Sequence, residues 1–526
     1  MKPAFYIYDN SMQNILCGVV ERLLYLTSKE NGQLVYQEPG LPVLKAPIKP
    51  KKDVWRSNAY YINLLAELVG KISPISNQDV IDSRPRDKVR RFELARDEFD
   101  RDGLQKRHAI VTYFVKGDKF CVSDLGTSCP RIIAFPSFVY GLRFARWIVA
   151  MESLVYKAIN KVFNSEVVMK CKNCVEVANA IVKAWKDVES DEKGWWRLIN
   201  MGDDNLIIFR DHMGQVRGLR IDARRWDQHN DIDTVIFKQT LYHRVAKGDP
   251  EFKELLQLLS WQRVYRCEAV GRDAITGDLL QLIVENVIGL TRSGDFDTAL
   301  GAIVVATSSV HGCFRGMEKP TSREKLVEEV FEYFHDRGFE LKLEGKPDNI
   351  YQCEFCQCRP LYDGTGWRMV RNMLAVIKDT YSVCDAKNYR ERMSQIGTAG
   401  CIVSAGVPVF QALYSAMLRC ANCHVREKTW ESNEWRDSGL AWMSGIGIPG
   451  MKSVKKASTT ITQEARYSML RMYDITPEAQ EALEKDFDDV QLGDDPGFRC
   501  MLDSQSLKMA FKLPEGLNAN VMGFSF

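Results

Sequence analysis

The stretch RLINMGDDNLIIFRDHMGQVRGLRIDARRWDQHND, Arg197 to Asp231, decides the fold of this 526-residue chain. A Gly-Asp-Asp turn, Gly202 to Asp204, sits between two apolar runs, and Asp222 and Asp227 follow five residues apart in a further apolar strand. The whole parses as three strands: WWRLINM, the tight turn, NLIIF, the polar turn RDHMGQ, and VRGLRID. Connections this short force antiparallel neighbours. Asp203 and Asp204 at the first hairpin tip and Asp222 at the end of the third strand are therefore expected at one end of one sheet.

Three carboxylates gathered there repel one another. Two like charges about 4 Å apart cost roughly 4 kcal/mol at an effective dielectric near 20, so the cluster calls for cations. Two divalent ions, magnesium or manganese, about 3.5 to 4 Å apart would neutralise it and suit an in-line displacement at phosphorus. Asp203 and Asp222 are the principal candidate ligands, with Asp204 in support. A second Gly-Asp-Asp, Gly493 to Asp495, lies among acidic residues and precedes Pro496, which cannot continue a central strand; it reads as a surface turn.

Composition is that of a globular protein, with 45% apolar and 27% charged residues, which excludes a disordered or fibrous chain. A net charge of +2 means that any nucleic-acid contact must come from a local groove. The basic runs KAPIKPKK (Lys45–Lys52) and RPRDKVRR (Arg84–Arg91) and the acidic run EKDFDDVQLGDD (Glu484–Asp495) read first as solvated surface. No window approaches the roughly 18 apolar residues of a membrane span, and no secretory leader is present, so a cytosolic protein is expected. Fifteen cysteines include the close pairs Cys171 and Cys174, Cys353 and Cys356, and Cys420 and Cys423. The haem-like CANCH is set aside for want of an export signal, and the pairs are expected to be reduced thiols rather than zinc ligands.

Along the chain, helices are expected over residues 54–72, 84–103, 143–162 and 173–194, with strands in AIVTYFVKGDKF (Ala109–Phe120) and CPRIIAFPS (Cys129–Ser137). After the meander come helical DTVIFKQTLYHRVAKG and DPEFKELLQLLSWQRVY, then a glycine-containing loop running into an apolar helix, Thr291 to Phe314. An amphipathic helix closed by Gly338 precedes a strand, and the chain beyond Asp363 reads as mostly helical. His229 is expected to be structural.

LRIDARRWDQHN (Leu219–Asn230) resembles the first palm motif of RNA-dependent RNA polymerases from tombusvirus-like and nodavirus-like positive-strand RNA viruses. RSGDFDTALG (Arg292–Gly301) is similar to their second motif, and YQCEFCQCRPLYDGTGWRMVRN (Tyr351–Asn372) to their hairpin between palm and thumb. FVKGDKF and CPRIIAFPS are similar to their basic finger segments. In ordinary members the Gly-Asp-Asp hairpin lies between the second motif and the segment resembling EEVFEYFHDRGFELKLE. Here that interval, VHGCFRGMEKPTSREK, holds none, and the hairpin precedes the first motif, which resembles the permuted palm of permutotetraviruses and birnaviruses.

The resemblance implies further roles. Asp227 would contact the ribose 2′-hydroxyl, partnered by Ser293 and Thr298; Ala302 stands where the family has an asparagine. Gly294 would free the loop backbone near substrate. Arg131 would bind the triphosphate, with Lys116 and Lys119 lining its entry, and Arg143 or Arg146 would stand in for a second arginine missing near Pro136. Lys342 is a candidate general acid for the leaving pyrophosphate, and Phe355 and Cys356 would support the primer end by packing.

The expected fold is α+β, a right-hand polymerase of fingers, palm and thumb with an antiparallel palm sheet in permuted order. Residues 1–108 form an N-terminal extension with finger elements, 109–194 fingers with the nucleotide-entry segment, and 195–233 palm. A fingers insertion follows at 234–288, then palm at 289–362 and a helical thumb with the C-terminal region at 363–526. The implied activity is RNA-directed RNA synthesis on a viral template. The partners would be RNA template and nascent strand, ribonucleoside triphosphates, and a membrane-anchored viral or host replication protein that recruits the chain within the host cytoplasm. The rivals are a reverse transcriptase or other palm nucleotidyl transferase, and an inactive palm that serves as an RNA-binding replication scaffold.

Overall fold

The apolar runs around Gly202 are continuous rather than alternating because both faces of their sheet are covered. In the computed structural model, β1 (Trp196–Met201), β2 (Asp204–Arg210) and β3 (Val216–Ala223) form a meander, and β4 (Leu341–Gly345) joins it, in the order β1-β2-β3-β4 with antiparallel neighbours. Leu198, Ile207, Phe209, Leu219 and Ile221 face one core, shared with the Phe138–Val162 and Thr298–Phe314 helices. Ile199, Leu206 and Ile208 face another, shared with the Cys174–Ser190 helix. Two-sided burial of this kind gives near-continuous apolar strands.

The structure describes residues 5–27, 29–30, 33–38, 41–121, 128–192, 194–380, 389–426, 430, 440, 443, 459–489 and 510–511. The second Gly-Asp-Asp, Gly493 to Asp495, lies outside them. A second four-stranded sheet runs Ile132–Pro136, Val111–Val115, Val264–Arg272, Leu279–Ile288, and the N-terminal helix Met12–Val19 packs on it. Its Val264–Arg272 strand lies parallel to Val111–Val115, and its other pairs are antiparallel. A hairpin of Cys358–Tyr362 and Trp367–Arg371 leads to helices Met373–Thr380, Tyr389–Val403, Phe410–Ala421, Gln463–Tyr473 and Pro477–Asp488, which share one apolar core. No helix among the described residues is long and apolar enough to cross a membrane.

Four expectations shift. Asp227 is not in the strand of Asp222: β3 ends at Ala223, Arg225 takes a left-handed φ of 50°, and Asp227 lies on the short helix Trp226–His229. The helix expected from Arg143 begins at Phe138, because the Ser137 hydroxyl accepts from Tyr140 N and caps it. The helix expected through Tyr265 stops at Arg263, where β-favouring Val264 and Tyr265 begin a long hairpin. The helical region expected from Asp363 starts only at Met373, because Trp367–Arg371 is the second strand of the hairpin expected over Tyr351–Asn372.

Candidate active site

The Gly202–Asp203 pair is a two-residue hairpin loop, since Met201 pairs with Asp204. Gly202 takes φ of 79° and Asp203 keeps a negative φ, the pattern of a type II′ turn with glycine first. Two buried asparagines fix it. Asn200 Nδ2 donates to Gly202 O and to Asn205 Oδ1, both at 2.8 Å, and Asn205 Nδ2 donates to Asp203 O at 2.9 Å. Their signal in the sequence was the symmetric flanking of the turn, but only register shows that Asn200 and Asn205 face each other. Ala302 lies beneath, 3.5 Å from where a first side-chain carbon on Gly202 would stand.

Asn205 pairs with Ile221, and carrying that register one residue further brings Asp204 and Asp222 to the same end of β2 and β3; the Asp203 and Asp204 carboxylates both act on Asp222. Asp222 in turn pairs with Lys342 on β4, whose Nζ lies 3.1 Å from Glu344. None of Asp203, Asp204 and Asp222 forms an ion pair among the described residues; Cys356 Sγ points at Asp204 Oδ2 from 3.7 Å. Burial first, then repulsion from the neighbouring carboxylates, raises Asp204 to about 6 and Asp222 to about 7. Asp203 is raised by burial. Half-buried oxygen donors without cationic partners suit hard divalent ions, so the donor set fits magnesium or manganese.

A pH experiment tests this. Asp204 and Asp222 bind a proton more tightly folded than unfolded, so their contribution to stability is full below about pH 4 and is lost as pH rises through about 6 to 7. A divalent ion held there would take the proton's place. Magnesium should therefore raise the melting temperature more at about pH 8 than at about pH 5.5, and Asp222→Asn should flatten that difference. An equal magnesium effect at both pH values would remove the cluster as the binding site.

Asp227 is raised to about 7 by burial and by Asp203, against Arg131, Lys238 and Lys116. Arg131 and Lys116 stand opposite each other at the strand ends, and Asp118 lies 3.2 Å from Arg131 and 3.3 Å from Lys116. Lys119 is turned elsewhere and donates to Lys378 O at 3.1 Å. Gly294 N donates to Ala134 O, and a side chain at Gly294 would stand 2.8 Å from that oxygen, so only glycine lets this loop meet the Ile132–Pro136 strand. Ser293 donates to Ile132 O and Thr298 to Arg292 O and Asp295 O, so both hydroxyls hold the loop rather than pairing with Asp227.

Arg143 and Arg146 do not replace the missing arginine. Both are buried in a helix interface, where Arg143 bonds Glu254 and Glu251 and Arg146 bonds Glu251 and Ile75 O. His229 is buried with Nδ1 3.2 Å from Arg225 O, a structural placement. None of the three close cysteine pairs joins a group of three or more converging ligands among the described residues. The loop itself rests on buried charge: Lys238 with Asp297 at 2.9 Å, and Arg292 with Asp295 at 2.5 Å.

The site is thus a carboxylate cluster at one end of a two-faced antiparallel sheet, with Arg131 and Lys116 at the ends of two paired strands of the second sheet. The chain belongs to the viral RNA dependent RNA polymerase family, whose model matches residues 2–190 and 217–494. It is 26% identical over 501 residues to the RNA-directed RNA polymerase of Groundnut rosette virus (strain MC1), covering 92% of this chain and 52% of that protein. It is 25% identical over 506 residues to that of Turnip crinkle virus, covering 93% and 58%, and 25% identical over 503 residues to that of Tobacco necrosis virus (strain A), covering 92% and 62%. The chain thus spans about half to three-fifths of these relatives.

Proposed function

We propose that the chain is an RNA-directed RNA polymerase whose palm is β1 to β4, threaded in permuted order. The observation that carries this is the carboxylate cluster at one sheet end, Asp203 and Asp204 at the hairpin and Asp222 at the end of the strand paired with it, in a chain of this family. Two features support the permutation. The family model leaves 191–216 unmatched, the stretch that holds the Gly202–Asp204 turn, and the interval 310–325 is helix end, loop and helix start, with no strand. The meander returns the chain to the sheet end where it began, so threading order does not alter which residues meet.

In this reading Asp203, Asp204 and Asp222 would hold two magnesium or manganese ions, which would supply charge to favour deprotonation of the attacking 3′-hydroxyl and to neutralise the pyrophosphate leaving group. Arg131 and Lys116 bind the triphosphate of the incoming nucleotide; Lys119 enters only by leaving Lys378 O. Lys342, beside Asp222 and half exposed, gives a proton to the leaving group. Phe355 and Cys356 pack under the nascent strand end. The second four-stranded sheet, with the N-terminal extension, acts as fingers and the C-terminal helices as thumb. RNA template, ribonucleoside triphosphates and a membrane-anchored replication partner in the host cytoplasm are the proposed partners.

Extension of primed and unprimed RNA with labelled nucleotides tests the activity; no product with either would leave the RNA-binding scaffold reading. Sugar choice separates it from a reverse transcriptase. With the Ser293 and Thr298 hydroxyls donated to the loop and Ala302 in place of an amide, Asp227 is the remaining reader of the 2′-hydroxyl. Asp227→Ala should lower kcat/KM for ribonucleotides at least about tenfold more than for deoxynucleotides, the loss of one charged hydrogen bond. Equal losses for both sugars would assign Asp227 to architecture.

A further inference from the structure

Away from the carboxylate cluster, three ligand-bearing side chains converge on the N-terminal helix. Cys17 Sγ lies 3.7 Å from Cys129 Sγ and 3.7 Å from Glu21 Oε1, and all three ligand atoms lie within 4.8 Å of one another. Tetrahedral zinc with bonds of about 2.3 Å to sulfur and about 2.1 Å to oxygen needs S···S near 3.8 Å and S···O near 3.6 Å. Both edges are already at that length. Cys129 is buried and Cys17 and Glu21 are half-buried, which leaves a face for water as fourth ligand.

The backbone is built to bring them together. Gly18 has no room for a side chain, whose first carbon would stand 2.5 Å from Ile132 and 2.9 Å from Pro130 O, so the helix lies directly on the segment after Cys129. At Val20 the helix widens into a π turn closed by Tyr25 N donating to Val20 O, and Glu21 sits on it; such turns recur at functional sites. Arg22 Nε donates to Cys129 O at 3.2 Å and Arg225 Nη1 to Glu21 O at 2.6 Å. Two thiolates and a carboxylate around a divalent ion keep one negative charge, which these arginines offset.

We propose that Cys17, Glu21 and Cys129 form a zinc site that ties the N-terminal helix to the segment carrying Arg131 ahead of the Ile132–Pro136 strand and, through Arg225, to the short helix carrying Asp227. Binding displaces the thiol protons to solvent, with no change of oxidation state. The site shares no residue with the proposed catalytic cluster, so it stands or falls apart from that reading.

The full chain, purified reduced and stripped of metal, is titrated with zinc in excess magnesium, and retained metal is counted by elemental analysis; cobalt serves as a spectroscopic probe. The expected result is about one retained zinc per chain and a thiolate-to-cobalt charge-transfer band. Cys17→Ser and Cys129→Ser should lose both, while Cys171→Ser and Cys423→Ser keep them. Glu21→Gln leaves both thiols in place and should bind at least about tenfold more weakly, which keeps the test open if a serine variant fails to fold. No retained zinc in the wild type, retention in both serine variants, or a cobalt spectrum without the sulfur band would overturn the site. So would a Cys17–Cys129 disulfide that forms under mild oxidation equally fast with and without zinc.

Discussion

Asp222→Ala should lower nucleotide addition by at least about a thousandfold, the scale on which removing one group that stabilises transition-state charge acts, without lowering the melting temperature. The two halves of that result have one cause. Asp222 shares its sheet end with Asp204 and is pushed to about 7 by burial and like charge, so its removal relieves repulsion in the free protein. Asp203→Ala should behave alike. Extension of a primed RNA is the readout, with circular dichroism and RNA binding measured on the same samples. The second Gly-Asp-Asp supplies the control: Asp494→Ala should extend at nearly the wild-type rate. Retained synthesis in either palm variant would sink the assignment.

The other large effect is on stability. Lys238 and Asp297 are paired at 2.9 Å with side-chain exposures of 3% and 0%, and Asp297 also receives Tyr242 and Gln262. Lys238→Met leaves that carboxylate buried without its cation, which should cost about 3 to 5 kcal/mol in urea denaturation. Adding Asp297→Asn removes the stranded charge while keeping an acceptor for its neighbours, so the double variant should recover part of the loss. A single variant within about 0.5 kcal/mol of wild type, the range of ordinary surface substitutions, would mean that the pair is solvated and does not underpin the loop before the Thr298–Phe314 helix.

The meander from Trp196 to Ala223 was legible because every link in it is local: short turns dictate antiparallel pairing, and pairing dictates which aspartates share a sheet end. The Thr298–Phe314 helix and the Arg86–Asp102 helix were legible for the same reason, through periodicity. What escaped depends on distant partners. Arg143 and Arg146 fitted either a phosphate contact or helix packing, and it is Glu251 and Glu254, more than a hundred residues on, that decide for packing. Cys17 and Cys129 are 112 residues apart, so no spacing rule could join them, whereas the close pairs that spacing did find do not assemble into a ligand group among the described residues. The Val264–Ile288 hairpin was missed because its alternation faces a core built from the N-terminal helix.

The meander has a consequence for how the chain acquires its shape. Asp204 and Asp222 are only eighteen residues apart, and every strand between them pairs with its sequence neighbour. Were the turn carried instead near residue 318, the loop to be closed would be about five times longer, at an entropic cost of about 1.4 kcal/mol more. Contacts of low sequence separation form early in folding. During synthesis, this meander is complete as a chain before the Thr298–Phe314 helix, the Leu341–Gly345 strand or any C-terminal helix has been made. Its carboxylates can find their register while the last strand of their sheet and the helices beyond it are still to come, and the later segments then fold against a template that already exists.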